Sequence, residues 1–185
     1  MHSKKLRIVG ILALQGSFAE HAKMARELGH HVRLVRSPED VTDISACILP
    51  GGESTTLTKL LIATGLNGWL KEAVQSGLPI FGTCAGMIVL AKFGLIDIEV
   101  ERNAYGPQLY SFETPIEFQK KKFPGVFIRA PKIVRFGKAV DILSKDRGIP
   151  VLVRQKNVLA SSFHPELTTD NRIHKFFLDT HQITY

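Results

Sequence analysis

The chain reads as short apolar runs separated by stretches whose apolar residues recur at helical spacing. Ile8–Leu14, His31–Val35, Ala46–Leu49 and Pro79–Phe81 are strand-like runs, mostly apolar with little polar alternation, the pattern of strands buried on both faces. Between them, Phe18–Leu28 carries Phe18, Ala22, Met24, Ala25 and Leu28 on one helical side and stops at Gly29, as a helix ends on glycine. Thr55–Ala63, with Ser54 as its cap, and Leu66–Gln75, ended by Ser76-Gly77, predict two more helices, and Ala85–Lys92 a fourth. Strands alternating with helices imply an α/β fold: a mostly parallel central sheet with helices on both faces.

The second half changes character. Ile96–Glu101, Leu109–Phe118, Val126–Ala130, Lys132–Phe136, Val151–Arg154 and Val158–Phe163 read as shorter strands. They predict an extension of the sheet and a small antiparallel addition. Asn171–Thr180, preceded by the capping types Thr169 and Asp170, closes the chain as a helix. No linker-like stretch divides it, so residues 1–185 are expected to form a single domain.

Composition narrows the class. The 185 residues are 44% hydrophobic and 22% charged, as in soluble globular domains. Ile8–Leu14 follows Lys4, Lys5 and Arg7, but it is too short for a signal peptide's apolar core and no cleavage site follows. It reads as a first strand, and the protein is expected to be cytoplasmic with no membrane partner. The net charge of +7 and pI of about 9.5 suit anionic ligands or an acidic surface. The basic residues are scattered, however, and Lys120–Lys122 reads as a solvated loop, so no nucleic-acid partner is expected. With two cysteines and no metal-ligand spacing among the histidines, neither a disulfide framework, a metal nor a cofactor is expected.

The candidate chemistry lies in three short segments. Gly82-Thr83-Cys84-Ala85-Gly86 follows the apolar run Leu78–Phe81. A small-residue turn between strand and helix presents one side chain at a sharp corner, as in the G-x-S-x-G elbow of hydrolases. A thiol there lies at a helix N-terminus, a setting that suits a nucleophile. Cys47, inside a strand, is expected to be an inert packing residue. Ser162-Phe163-His164-Pro165-Glu166 supplies a base. Pro165 moves His164 out of the helical region, and residues two apart in an extended chain share a side, so Glu166 can bond the imidazole. Pro50-Gly51-Gly52-Glu53-Ser54-Thr55-Thr56 is a strand-to-helix loop whose glycines let backbone N–H groups approach a ligand. With Gln15-Gly16-Ser17 and the Cys84 elbow, it is expected at the carboxyl ends of the parallel strands, where α/β sheets bind ligands. Taken singly, each segment also fits a plain turn.

Taken together, these segments resemble the class I (triad) glutamine amidotransferases, whose fold is flavodoxin-like. The nearest resemblance is to the glutaminase subunits of pyridoxal 5′-phosphate synthase, the PdxT/SNO family. Leu12–Gly16, Val100–Gly106 and Phe127–Pro131 extend it over nearly the whole chain. The resemblance implies a glutaminase with Cys84 as nucleophile, His164 as acid and base, and Glu166 as its orienting partner. It implies L-glutamine binding by Gly52, Glu53, Ser54, Arg102, Ile128 and Arg129, and an oxyanion hole from Gly51, Gly52 and Ala85. It further implies a barrel-shaped synthase subunit that receives the ammonia. Two features depart from the pattern: Pro107 follows the Tyr105-Gly106 pair, and Ala91–Leu95 is a short connection. Two alternatives differ in kind: a triad glutaminase serving another synthase, and a non-catalytic cysteine-elbow α/β protein whose thiol lies far from His164.

Overall fold

The computed structural model describes residues 7–102 and 111–180. In the first half β1 (Ile8–Leu12), α1 (Phe18–Glu27), β2 (His31–Val35), β3 (Ala46–Leu49), α2 (Ser54–Ala63), α3 (Leu66–Gln75), β4 (Ile80–Thr83) and α4 (Ala85–Lys92) follow the predicted alternation. Beyond them run β5 (Ile98–Glu101), β6 (Ser111–Phe118), β7 (Lys121–Ile128), β8 (Lys132–Phe136), β9 (Asp141–Asp146), β10 (Ile149–Gln155), β11 (Val158–Ser161) and α5 (Arg172–Thr180). Seven strands form one sheet in the order β2-β1-β3-β4-β11-β10-β9. The first five are parallel, and β10 and β9 extend the sheet antiparallel. Two antiparallel pairs, β5–β8 and β6–β7, are the predicted addition.

The parallel strands feed two cores because their alternate side chains leave opposite faces. On one side Cys47, Leu49 and Ile80 pack with Leu57, Leu61, Leu70 and Leu90 of α2, α3 and α4. On the other, Ile11, Ile48 and Phe81 pack with Ala25 of α1, Phe177 of α5 and Phe123 and Phe127 of the β6–β7 hairpin.

The second half corrects several expectations. β9 is a strand that periodicity did not indicate: it is polar, lies at the sheet edge and, among the described residues, pairs with β10 alone. Lys120–Lys122 is exposed, as expected of a solvated run, but it is not a loop. Gln119 and Lys120 form a two-residue hairpin turn with φ of 50° and 61°, the conformation such turns favour, and Lys121 and Lys122 pair with Phe118 and Glu117 in the ladder. The short connection after α4 closes on itself: Leu95 N–H bonds the Leu90 carbonyl at 2.9 Å and Gly94 has φ 68°, a glycine-type helix stop. Tyr105, Gly106, Pro107 and the start of the predicted Leu109 strand lie outside the described residues.

Candidate active site

The site forms where β1, β3, β4 and β11 end. Cys84 takes φ 47° and ψ −102°, a conformation that non-glycine residues avoid at a cost of roughly 1–3 kcal/mol. Its N–H bonds the Ser161 carbonyl at 2.8 Å and its carbonyl accepts from Ile88 N–H at 3.2 Å, so the corner is fixed from both sides. The flanking glycines are packing requirements. A β-carbon on Gly82 would meet Leu90 Cδ1 at 2.5 Å, and one on Gly86 would overlap the Leu49 carbonyl oxygen. The elbow's composition is therefore set by how closely α4 lies on β3 and β4.

His164 follows β11, with its N–H on the Val126 carbonyl at 2.8 Å. It is non-helical, as Pro165 requires, at φ −108° and ψ 84°. Glu166 reaches it differently from the extended-chain expectation. Pro165–Leu167 forms a 3-10 turn, which brings Glu166 back beneath the ring. His164 Nδ1 and Glu166 Oε1 are 2.7 Å apart, and both side chains are buried. Cys84 and His164 line the same cavity, and the Cys84 sulfur acts on the ring electrostatically. Burial disfavours the imidazolium, but the Cys84 sulfur and the bonded Glu166 carboxylate outweigh it and hold His164 up to about 10. Burial likewise pushes the Glu166 carboxyl up, and His21, His164 and Ser17 together hold it well below the ordinary range. Cys47, fully buried, has its thiol pushed up to about 12.

The glycine loop lies against both groups. A β-carbon on Gly51 would overlap the His164 ring and stand 3.3 Å from Cys84 Cβ. The loop is held from behind: Ser17 N–H bonds the Gly51 carbonyl at 3.2 Å, Glu53 N–H bonds Gln15 Oε1 at 3.1 Å, and Gln15 Nε2 bonds the Glu53 carbonyl at 3.3 Å. The three predicted loops do converge. The cap of α2 is a correction: Glu53, not Ser54, closes it, accepting from Thr55 N–H at 2.9 Å and Thr56 N–H at 2.6 Å. A carboxylate reaches two orphan N–H groups where a hydroxyl reaches one, and these bonds hold its carboxyl down to about 2. Arg102 sits beside it, 3.6 Å from Glu53 Oε1 and 3.3 Å from Thr55 Oγ1.

A cavity of about 620 Å³ is lined by Gly52, Glu53, Ser54, Cys84, Arg102, Ile128, Arg129 and His164, with Ile88 and Ser111. Every expected glutamine-contacting residue thus borders one space. Ile88 and Ser111 were not anticipated, and neither were the bond from half-buried Ser17 to Glu166 and the buried set behind it, His21, Thr83 and His174. Among the described residues, no three His, Cys, Asp or Glu side chains are placed to hold a metal ion, and no helix is long and apolar enough to cross a membrane.

The buried histidines set a pH dependence of stability. His174 is pulled down to about 3, by burial first and then by His21, and His21 is lowered by burial. Below pH 6.5 the unfolded chain takes up protons that these rings refuse, so stability falls as pH drops from 6.5 toward 3. His164 is raised, so its contribution is complete below 6.5 and is lost as pH rises toward 10. Urea unfolding should therefore show maximal stability near pH 6.5. At pH 5 and pH 8 the losses from His174 and His164 are each about 2 kcal/mol.

The fold is that of the class I glutamine amidotransferases. The chain belongs to the SNO glutamine amidotransferase family, whose model matches residues 11–182, and it is a glutamine amidotransferase by that membership. It is 47% identical over 182 residues to the pyridoxal 5′-phosphate synthase subunit PdxT of Thermosipho africanus, covering 92% of this chain and 97% of that one. It is 51% identical over 174 residues to the PdxT subunit of Francisella tularensis subsp. novicida, again over 92% and 97%. A crystal structure of a glutamine amidotransferase superposes with TM-score 0.89 at 46% identity, covering 92% of this chain and 97% of the other. PurLQS from Thermotoga maritima, with TM-score 0.75 and 16% identity over 96% and 99%, shares the fold alone.

Proposed function

We propose that this chain is the glutaminase subunit of a pyridoxal 5′-phosphate synthase, hydrolysing L-glutamine to L-glutamate and ammonia at Cys84. The observation that carries the reading is the single cavity in which Cys84 and His164 face Glu53, Arg102, Ile128 and Arg129. Arg102 offers a fork for the α-carboxylate, and Glu53, which holds Arg102 in place, offers charge to the α-ammonium. The γ-amide then lies toward Cys84.

The Cys84 thiolate attacks the amide carbon. Negative charge moves to the carbonyl oxygen, which Ala85 N–H and Gly52 N–H receive. Ala85 N–H is a free donor at the start of α4. The Gly51 carbonyl is tied to Ser17, so in a trans peptide the Gly52 N–H points the opposite way. One such donor contributes about 3 kcal/mol to the transition state. The His164 imidazolium gives its Nε2 proton to the amide nitrogen, ammonia leaves and a thioester remains. Neutral His164 then takes a proton from water, the hydroxide attacks the thioester, and glutamate departs as the thiolate re-forms. Glu166 keeps the ring's Nδ1–H directed to itself throughout.

The relatives, named as subunits of pyridoxal 5′-phosphate synthase, support the further reading that ammonia passes to a partner synthase subunit. We take that subunit to be the barrel-shaped enzyme that builds pyridoxal 5′-phosphate from a pentose and a triose phosphate. We also infer a cytoplasmic setting, in keeping with two free thiols.

A glutamine-like diazoketone followed by peptide mapping tests the chemistry. The expected adduct is on Cys84 alone, with excess L-glutamine protecting it. An adduct on Cys47, or labelling of Cys84 that glutamine does not slow, would remove the assignment.

A further inference from the structure

The triad's acid is held by more than its histidine. Glu166 Oε1 accepts from the Ser17 hydroxyl at 2.6 Å as well as from His164 Nδ1. Its second oxygen, Oε2, is buried with no hydrogen-bond partner among the described residues and faces His21 Nε2 at 3.4 Å. His21 Nε2 also lies 3.2 Å from Oγ1 of Thr83, the residue before the nucleophile. His21 Nδ1 is 2.8 Å from His174 Nε2. His21 and His174 are fully enclosed and pack against Phe81.

We propose that Ser17 and His21 are positioning residues of the glutaminase reaction, Ser17 by its bond to Oε1 of Glu166 and His21 by the polarised ring nitrogen it turns toward Oε2, and that His174 sets the tautomer in which His21 does so. The proposal rests on the triad reading above. A carboxylate only accepts hydrogen bonds, so the His21 nitrogen facing Oε2 must carry the proton. Burial keeps both rings neutral at pH 7. Neutral His21 then has its lone pair on Nδ1, and His174 must donate to it from Nε2. His174 Nδ1, which has no partner among the described residues, is left as a bare acceptor. The reverse order would turn a lone pair toward the carboxylate and bury an unpaired N–H on His174, the costlier of the two defects. The proton chain therefore has one direction: His174 to His21 to Glu166.

The chain matters because a carboxylate with one fixed oxygen can rotate about its last torsion, which is broad. Rotation would swing the His164 ring, and small displacements at a reacting group cost rate. Ser17 adds a link. Its hydroxyl holds Glu166 while its N–H holds the Gly51 carbonyl, so one residue ties the triad acid to the glycine loop.

The test measures glutamate release by the full chain, alone and with its synthase partner, for Ser17→Ala, His21→Leu and His21→Gln, with Cys84→Ala as the blank. Losing a bond to a charged group should lower kcat about tenfold in Ser17→Ala, and leaving the buried Oε2 with no ring nitrogen facing it about thirtyfold in His21→Leu, with KM within about twofold. The amide Nε2 of His21→Gln reaches the position of the ring Nε2 and donates there, so it should recover kcat to within about threefold of the parent. Structural damage alone would not sort the two His21 variants in this way. If His21→Leu does not fold, Ser17→Ala and His21→Gln still decide. Parental kcat in Ser17→Ala, or a His21→Gln that turns over no faster than His21→Leu or falls well below threefold of the parent, overturns the proposal. Full activity in Cys84→Ala would instead overturn the triad reading on which it rests.

Discussion

Cys84→Ala should lose glutamine hydrolysis by at least about 10⁴-fold in kcat, the scale on which a triad nucleophile acts, while the protein keeps its fold. The two halves of this expectation have separate causes. Activity is lost because the only other thiol, Cys47, is buried with its proton held up to about 12 and cannot substitute. Stability is kept because alanine retains the β-carbon and gives up one atom at the cavity wall, with the corner's backbone bonds to Ser161 and Ile88 intact. Cys84→Gly extends the argument. It is equally inactive, but it adopts φ 47° without the clash a β-carbon brings, so it should be more stable than the parent by about 1 kcal/mol. Adding His164→Ala to Cys84→Ala should cost almost nothing more, because members of one catalytic unit are not additive. Glutamate release and urea midpoints check all three. A Cys84→Ala enzyme with near-parental kcat would place the chemistry elsewhere.

The parallel half of the fold is legible because its strands must satisfy two cores at once, which leaves them nearly uninterrupted apolar runs. β9 escapes that logic. Asp141, Lys145 and Asp146 lie in a strand that, among the described residues, has a neighbour on one side only, where polar side chains are tolerated and periodicity carries little signal. Lys121 and Lys122 escape it too. Their side chains are solvated as the composition suggests, while their backbones serve a ladder that depends on the turn at Gln119-Lys120.

The candidate site divides in the same way. Cys84 and the His164–Glu166 pair stand in segments of five residues, so local spacing alone suggests their chemistry. Ser17 and His174 are 149 and 153 residues from the groups they touch, Glu166 and His21. A histidine on the buried side of α1 has no mark in sequence that separates it from an ordinary core position. Glu53 illustrates a smaller limit. Glutamate directly before Ser-Thr-Thr reads as a ligand-facing charge next to a hydroxyl cap, and only the backbone path shows that the carboxylate itself closes the helix.

Gly51→Ala should be the most damaging single methyl in the molecule for activity. The loop is confined from two directions: a β-carbon on Gly16, at φ 87°, would overlap the Gly51 carbonyl oxygen, and one on Gly51 would overlap the His164 ring. The loop therefore cannot retreat from the new methyl, because Ser17 and Gly16 stand behind it. The imidazole must move instead, and its motion stretches the 2.7 Å bond to Glu166 and the contact with Cys84 together. A displacement near 1 Å costs about 10² in rate, and the same overpacking should cost about 1–3 kcal/mol of stability. Gly68→Ala is the matched control, since its added β-carbon meets nothing within 4 Å and lies in α3. It should keep parental kcat and gain up to about 1 kcal/mol from helix propensity. Side-by-side kcat and urea midpoints for the two variants separate crowding at the site from the general effect of a methyl. Gly51→Ala within threefold of the parent would mean that the loop yields, and that the ring is not held as tightly as its bond to Glu166 indicates.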